Sequence, residues 1–306
     1  MAPQKTLTPQ ALAGLAMMGV IWGGSFLCIK LLLEPFTPFQ LVALRVGLGA
    51  TALWAYILLR RFDIPRDART YLWFLLIGAE NVALPFFLIT WGETHTHSGI
   101  AGILNASTAV FGVLVAAIAF ADERLTARKV TGVLIGFAGI VLTIGPQALD
   151  GLDPRSMGQL AIAAAGLAYA VGAALVRAKL GHLRGSVAMA GMLTGATVVM
   201  APLALVLDGA PSFAGFTPEL WAAFIYLTVI ATALAYMVFG TVVRLAGSGN
   251  TTLVTLIVAP VSVLLGALIL HERLDWTAYA GFALIALGFS VIDGRLWQRK
   301  RVAPAP

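Results

Sequence analysis

Apolar runs long enough to cross a bilayer fill most of this 306-residue chain, and no other feature constrains its fold so tightly. A helix needs about 20 consecutive, mostly apolar residues to traverse the hydrocarbon core. Ten such runs can be read, over residues 11–33, 38–59, 70–90, 98–120, 127–145, 157–178, 183–207, 217–243, 248–270 and 276–293. Short linkers separate most of them and hold the charges and turn residues that the runs exclude, among them Arg60-Arg61, Asp122-Glu123-Arg124, Gly145-Pro146 and Asp208-Gly209. Only 11% of the residues are charged, less than half the share of an ordinary soluble domain. That leaves too little polar surface for a soluble fold of this size. The predicted fold is an all-α membrane protein of ten transmembrane helices.

The first run follows Lys5 and has no small-residue cleavage site, so it reads as a span and not as a signal peptide. The single cysteine, Cys28, lies within that run. One cysteine cannot close an internal disulfide and has no neighbours suited to a metal, so it reads as a small packing residue. The net charge of +6 would suggest nucleic acid in a soluble protein. Here the basic residues sit at the ends of apolar runs, which makes the membrane surface their partner and predicts no nucleic-acid partner.

Their distribution fixes an orientation. Lys5, Arg60, Arg61, Arg66, Arg69, Arg124, Arg128, Lys129, Arg177, Lys179, Arg184, Arg244, Arg295, Arg299, Lys300 and Arg301 all fall on the side of the N-terminus. The opposite side has Lys30, Arg155 and Arg273, and Arg45 lies inside a span. Lys and Arg accumulate in cytoplasmic loops, so both termini are predicted to be cytoplasmic, in accord with an even number of spans.

The second half repeats the first. Ser98-Gly99 recurs as Ser248-Gly249, each opening an apolar run, and Glu123-Arg124-Leu125 recurs as Glu272-Arg273-Leu274. Gly132 and Gly139 match Gly281 and Gly288, Leu72-Trp73 matches Leu220-Trp221, Gly92 matches Gly240, and Trp22 falls opposite Tyr169. Each half holds five spans, an odd number, so the second copy must be inverted relative to the first. The predicted division is residues 1–146 for the first repeat and 147–306 for the second, with its basic tail. Inverted repeats of this kind build secondary transporters whose substrate site lies near the midplane between the halves.

With these residues in view, the chain resembles the EamA family of the drug/metabolite transporter superfamily. The likeness rests on Trp22-Gly23-Gly24-Ser25-Phe26 in the first span, Pro38 with Leu44-Arg45 in the second, and the Glu-Arg-Leu signature followed by glycines once per half. It covers about residues 12–292. It implies an inner-membrane exporter of amino acids, aromatic ones among them, or of other metabolites or toxic cations, working by alternating access without a cofactor.

Polar groups inside spans are costly and therefore mark candidate sites. Glu80-Asn81 stands mid-way along the third span, about 15 Å from either end. It reads either as a cavity wall or proton-coupling carboxylate, or as a structural group paired with a neighbouring helix. Arg45 stands at a similar depth, and an Arg45–Glu80 ion pair, structural in role, is predicted. Trp22 and Tyr169 are far from the interfaces and could stack on a substrate or simply pack. Trp73, Trp91, Trp221 and Trp276 lie near span ends and read as interface anchors. Asn105, Ser107 and Thr108 in the fourth span, Thr255 and Ser262 in the ninth, and Tyr226, Thr228, Thr232 and Tyr236 in the eighth form polar stripes that suit a hydrated cavity or interhelical hydrogen bonds. Pro85 and Pro260 read as hinges or as packing kinks.

The glycines from Gly132 to Gly136 and from Gly281 to Gly288 suit close helix contact, and no phosphate-loop signature follows them. His95-Thr96-His97 lacks the further ligands of a metal site, so no metal is predicted. The substrate-binding set expected from sequence is Trp22, Glu80, Asn81, Asn105, Tyr169, Tyr226 and Thr255. The partners expected are a small solute and membrane lipid, the latter also met by the basic tail at Arg299-Lys300-Arg301. A lipid-modifying membrane enzyme would need clustered carboxylates, His or Ser near one interface, which the scattered in-span groups do not supply. A scaffold or sensor would need an attached soluble domain. The inverted repeat favours a transporter over both.

Overall fold

The computed structural model describes residues 7–96, 98–153, 155–270 and 275–293. Its ten long helices are α1 (Pro9–Leu32, with a turn at Gly24), α2 (Pro38–Leu59), α3 (Ala68–Glu93), α4 (Ser98–Ala119), α5 (Ala127–Ile144), α6 (Met157–Leu180), α7 (Gly185–Leu207), α8 (Pro218–Ala246), α9 (opening at Ser248–Thr251 and continuing through Thr255–Leu270) and α10 (Trp276–Asp293). Among the described residues there is no strand. Nine of these helices are long and apolar enough to cross a membrane, and α10 is a shorter apolar helix over Trp276–Ile292. This all-helical architecture is what a bilayer requires, because a helix bonds its own backbone and leaves no polar edge to lipid.

Local chemistry sets the helix ends. Thr8, Thr37, Asp67, Thr126, Ser156 and Thr217 each accept a backbone N–H from the first turn of the helix that follows. Thr37 and Gln40 form a reciprocal capping box, and Pro38 and Pro218 stand at first helical positions, where the missing N–H costs nothing. Gly145 ends α5 at φ 106° and Gly247 ends α8 at φ 89°, conformations that side chains with a Cβ rarely adopt.

Three spans depart from regular α geometry. α3 passes through a π-helical turn at Ala79–Ala83, α6 ends in one at Val176–Leu180, and α8 is π-helical over Tyr226–Leu234. When Leu72-Trp73 is set on Leu220-Trp221, the π turn of α3 falls on residues 227–231, inside that of α8. The eighth-span polar stripe was expected on one α-helical face. A π turn winds more residues into each turn, and Thr228, Thr232 and Tyr236, four apart, are all buried. Pro85 follows directly on the π turn of α3, Pro260 lies inside α9, and Pro202 lies inside α7, a third in-helix proline.

The helix contacts of the two halves recur in matched pairs, as an approximate two-fold axis between them would give. α2 lies along α7 and α5 along α10, each helix against its own counterpart. α4 packs on α6 as α9 packs on α1, and α3 on α7 as α8 on α2. At the α5–α10 contact, Gly132 meets Gly288 and Gly139 meets Gly281. Twin glycines thus exchange partners across the axis, the signature of a self-complementary contact. Lipid tails are as apolar as leucine, so small residues that let backbones approach contribute more here than bulk hydrophobicity. The exposed faces carry large apolar side chains such as Leu59 (83% exposed), Ile118 (87%) and Val206 (82%), as expected of surfaces turned to lipid.

Candidate functional site

The polar residues converge between the two halves. A small cavity there is lined from both. α1 supplies Trp22, Ser25, Phe26 and Ile29; α2 supplies Arg45; α3 supplies Asn81, Phe86, Ile89 and Thr90; and α4 supplies Asn105 and Thr108. From the other half come Tyr169 of α6, Tyr236 and Phe239 of α8, and Thr251, Thr252, Val254, Thr255 and Val258 of α9.

An aromatic frame holds its shape. Trp22 lies edge-on to Tyr236 at 6.1 Å and beside Phe239 at 6.2 Å, and Phe86 meets both Tyr236 (6.0 Å) and Tyr169 (6.5 Å) edge-on. Such edge contacts are the favoured geometry of ring pairs. The Trp22 indole N–H donates to the Ala231 carbonyl at 2.9 Å. That carbonyl lies in the π segment of α8, where the Ala235 amide bonds to Ile230 instead. The Ser25 hydroxyl donates to the Trp22 carbonyl at 2.6 Å, and Ser262 of α9 donates to Gly23 at 2.8 Å, securing the Gly24 turn between α8 and α9.

Several lining groups are unsatisfied. Asn81 (2% exposed) and Asn105 (6%) each present an amide oxygen with no hydrogen-bond partner, and so does the buried hydroxyl of Thr108. An unpaired buried polar group costs about 1–3 kcal/mol, so three around one cavity mark it as a place for water or a polar ligand. Thr255 differs: its hydroxyl donates to the Thr252 carbonyl at 2.9 Å, and Thr252 and Thr251 bond back to Gly249 and Gly247 in the same way.

Of the residues expected from sequence, Trp22, Asn81, Asn105, Tyr169 and Thr255 line the cavity, whereas Glu80 and Tyr226 are not among its lining residues. The Tyr226 hydroxyl donates to the Ile21 carbonyl at 2.8 Å and packs against Gly24, tying α8 to α1 behind the Trp22 frame. Glu80 sits in the π turn beside Asn81, with one carboxylate oxygen buried and unpartnered.

The Arg45–Glu80 pair is corrected. Arg45 Nε donates to Thr232 Oγ1 at 2.9 Å, and its guanidinium lies 3.7 Å above the centre of the Phe86 ring. The described residues contain no ion pair joining Arg45 to Glu80. Equal depth did not suffice: Arg45 takes up a hydroxyl of α8 and an aromatic face instead.

The ends of the cavity differ. Where α9 begins, Glu123 accepts the Ser248 amide (2.7 Å), the Ser248 hydroxyl (3.0 Å) and the Gly249 amide (2.9 Å). Arg177 bonds Glu123 and Asp122, each at 2.5 Å, and its guanidinium covers Phe120. Gly185 and Gly240 bring α7 and α8 into backbone contact. This cluster lies less than a turn beyond Thr251, on the side of the basic loops. The sequence marked Glu123 only as half of a repeated signature; its buried cluster depends on Arg177, distant in the chain. The second signature, Glu272-Arg273-Leu274, lies outside the described residues, as do His97 and the tail at Arg299-Lys300-Arg301. His95 packs on Trp91 with ring centres 4.3 Å apart.

The model of the EamA-like transporter family matches residues 10–145 and again 156–292. The chain belongs to the EamA-like transporter family. A relative from Streptantibioticus cattleyicolor, named a probable terminal-alkyne amino-acid exporter, is 28% identical over 97% of this chain and 98% of its own. One from Escherichia coli, named a probable amino-acid metabolite efflux pump, is 25% identical over 92% of this chain and 94% of its own. An uncharacterized transporter of Archaeoglobus fulgidus is 27% identical over 89% and 93%. One solved crystal structure shares the fold with a TM-score of 0.78 at 20% identity, covering 94% of this chain and 99% of that one. EamA-like membership makes the chain a multi-pass membrane transporter.

Proposed function

We propose that this transporter exports amino acids or related small metabolites across the inner membrane by alternating access, its substrate held between the repeats 1–146 and 147–306. The observation that carries this reading is the cavity between the halves, lined by aromatic rings and by buried polar groups without partners, within a fold whose spans otherwise face lipid with apolar side chains. Full-length relatives named for amino-acid export support it. Trp22, Asn81, Asn105, Tyr169 and Thr255 are the contact residues, with Arg45, Phe86 and Tyr236 added from the geometry. Glu80 and Tyr226 act from behind the wall. Pro85 and Pro260 are placed where a helix can bend, since proline frees the carbonyl a turn before it.

The bias of the basic loops supports cytoplasmic termini. The arrangement described is then the state closed on the cytoplasmic side, with the cluster of Asp122, Glu123, Arg177 and Ser248 as the closure. The test is uptake of labelled amino acids into proteoliposomes containing only this protein, with and without a pH gradient. Saturable uptake is expected. A folded protein that moves no amino acid would overturn the reading.

A further inference from the structure

The chemistry of the cavity narrows what it can carry, provided that the cavity is the transport site. Arg45 is 5% exposed. Its single hydrogen bond, through Nε to Thr232, and its stacking on Phe86 leave the two terminal amino groups of the guanidinium without a protein partner. Glu80 and Glu93 on α3 form no ion pair with it among the described residues. Among the described residues no carboxylate lines the cavity. A buried cation with no carboxylate in contact, Glu93 reaching it only through space, favours the approach of an anion, and the same charge repels a cationic solute.

The neighbours of Arg45 reinforce this polarity. Tyr169 and Tyr236 both pack against the Phe86 ring on which Arg45 lies, and neither hydroxyl has a hydrogen-bond partner among the described residues. A guanidinium and two phenols form a donor-rich pole suited to a carboxylate. The orphaned groups on α3 and α4 have the complementary character: the amide oxygens of Asn81 and Asn105 and the hydroxyl of Thr108 are acceptors. Gly172 and Gly166 of α6 back Asn81 and Thr108 closely and hold them against the cavity. Trp22, Phe26 and Phe239 complete the wall with apolar surface.

We propose that Arg45 is the docking point for a carboxylate of the transported solute and that Asn81 and Asn105 receive its ammonium group. The carrier then selects α-amino acids with apolar or aromatic side chains and rejects amines, esters and quaternary cations.

Phenylalanine and leucine, their methyl esters and the corresponding decarboxylated amines are the probes. Binding is read as thermal stabilisation of the purified full chain, and transport as uptake into proteoliposomes, for the wild type and for Arg45→Gln and Arg45→Lys. The free acids should bind the wild type about ten- to a hundredfold more tightly than esters or amines, the range of a charge-assisted hydrogen bond. Arg45→Gln should erase that preference, and Arg45→Lys should keep part of it. Esters or amines that bind the wild type as well as the acids overturn the proposal, whether or not the variants fold. So does an Arg45→Gln protein that keeps the acid preference. Acids that bind selectively but never cross uphold Arg45 and defeat the carrier reading; solutes that cross without regard to the carboxylate do the reverse. Acids that neither bind nor cross defeat both.

Discussion

Trp22 joins α1 to α8 through one hydrogen bond and frames the cavity through two ring contacts. Trp22→Phe keeps a ring in the frame but leaves the Ala231 carbonyl without its donor. The expected cost is about 0.6–2 kcal/mol, because interhelical bonds in membranes contribute less than the full desolvation of a carbonyl. Thermal unfolding of the purified variant would show a lowered midpoint; an unchanged one would mean that the carbonyl finds another donor. At this scale the sequence was partly legible. Trp22, Tyr169, Asn81 and Asn105 stood out as polar or aromatic groups deep in apolar runs, and the expense of such groups is visible without coordinates. What was hidden was partnership. Thr232 and Phe86, the actual companions of Arg45, lie on different helices and carry no local mark, so the nearest opposite charge at equal depth was the natural but mistaken partner.

Helices approach each other where side chains vanish. Gly195 of α7 lies against the backbone of Phe74 and Leu75 in α3, and Gly78 of α3 against Met192 and Ala196. A Cβ at Gly195 would meet backbone that no rotamer change can move aside. Gly195→Ala should therefore separate α3 from α7 and cost about 1–3 kcal/mol, as overpacking does. Gly47→Ala is the control, since the nearest atom there is 3.5 Å away on a Thr197 side chain. Equal unfolding temperatures for the two variants would contradict the contact. The spans and most of their caps were readable from apolar runs bounded by Thr, Asp, Pro and Gly. The π turns were not, because an added residue in a continuous apolar run changes no composition and breaks no pattern. They nonetheless fall at matched positions of the repeat in α3 and α8, one holding Asn81 and the other the Trp22 acceptor.

The whole molecule is organised by its two-fold axis, which the sequence foreshadowed through paired glycines and the repeated Glu-Arg-Leu. The cluster proposed as the closure could not be read, because it joins Glu123 to Arg177 and Ser248, which are distant in the chain. Glu123→Gln retains one acceptor oxygen and loses the charge, so it should loosen that seal. With Cys28→Ala as background, Thr251→Cys should react several-fold faster with a membrane-impermeant maleimide added from the side of the basic loops. An unchanged rate would show that the seal lies elsewhere. A different consequence comes from the length of α5. Thr126 caps one end and Gly145, at positive φ, stops the other, leaving 18 residues, about 27 Å of helix. α8 has 29 residues, about 43 Å. A hydrocarbon layer of about 30 Å therefore fits α8 with tilt to spare but overreaches α5 unless it pinches inward along that edge, at a fraction of a kcal/mol per Å. The protein is thus a wedge in its membrane, and its unfolding temperature in reconstituted bilayers should rise as the acyl chains are shortened from a thickness that α5 cannot meet.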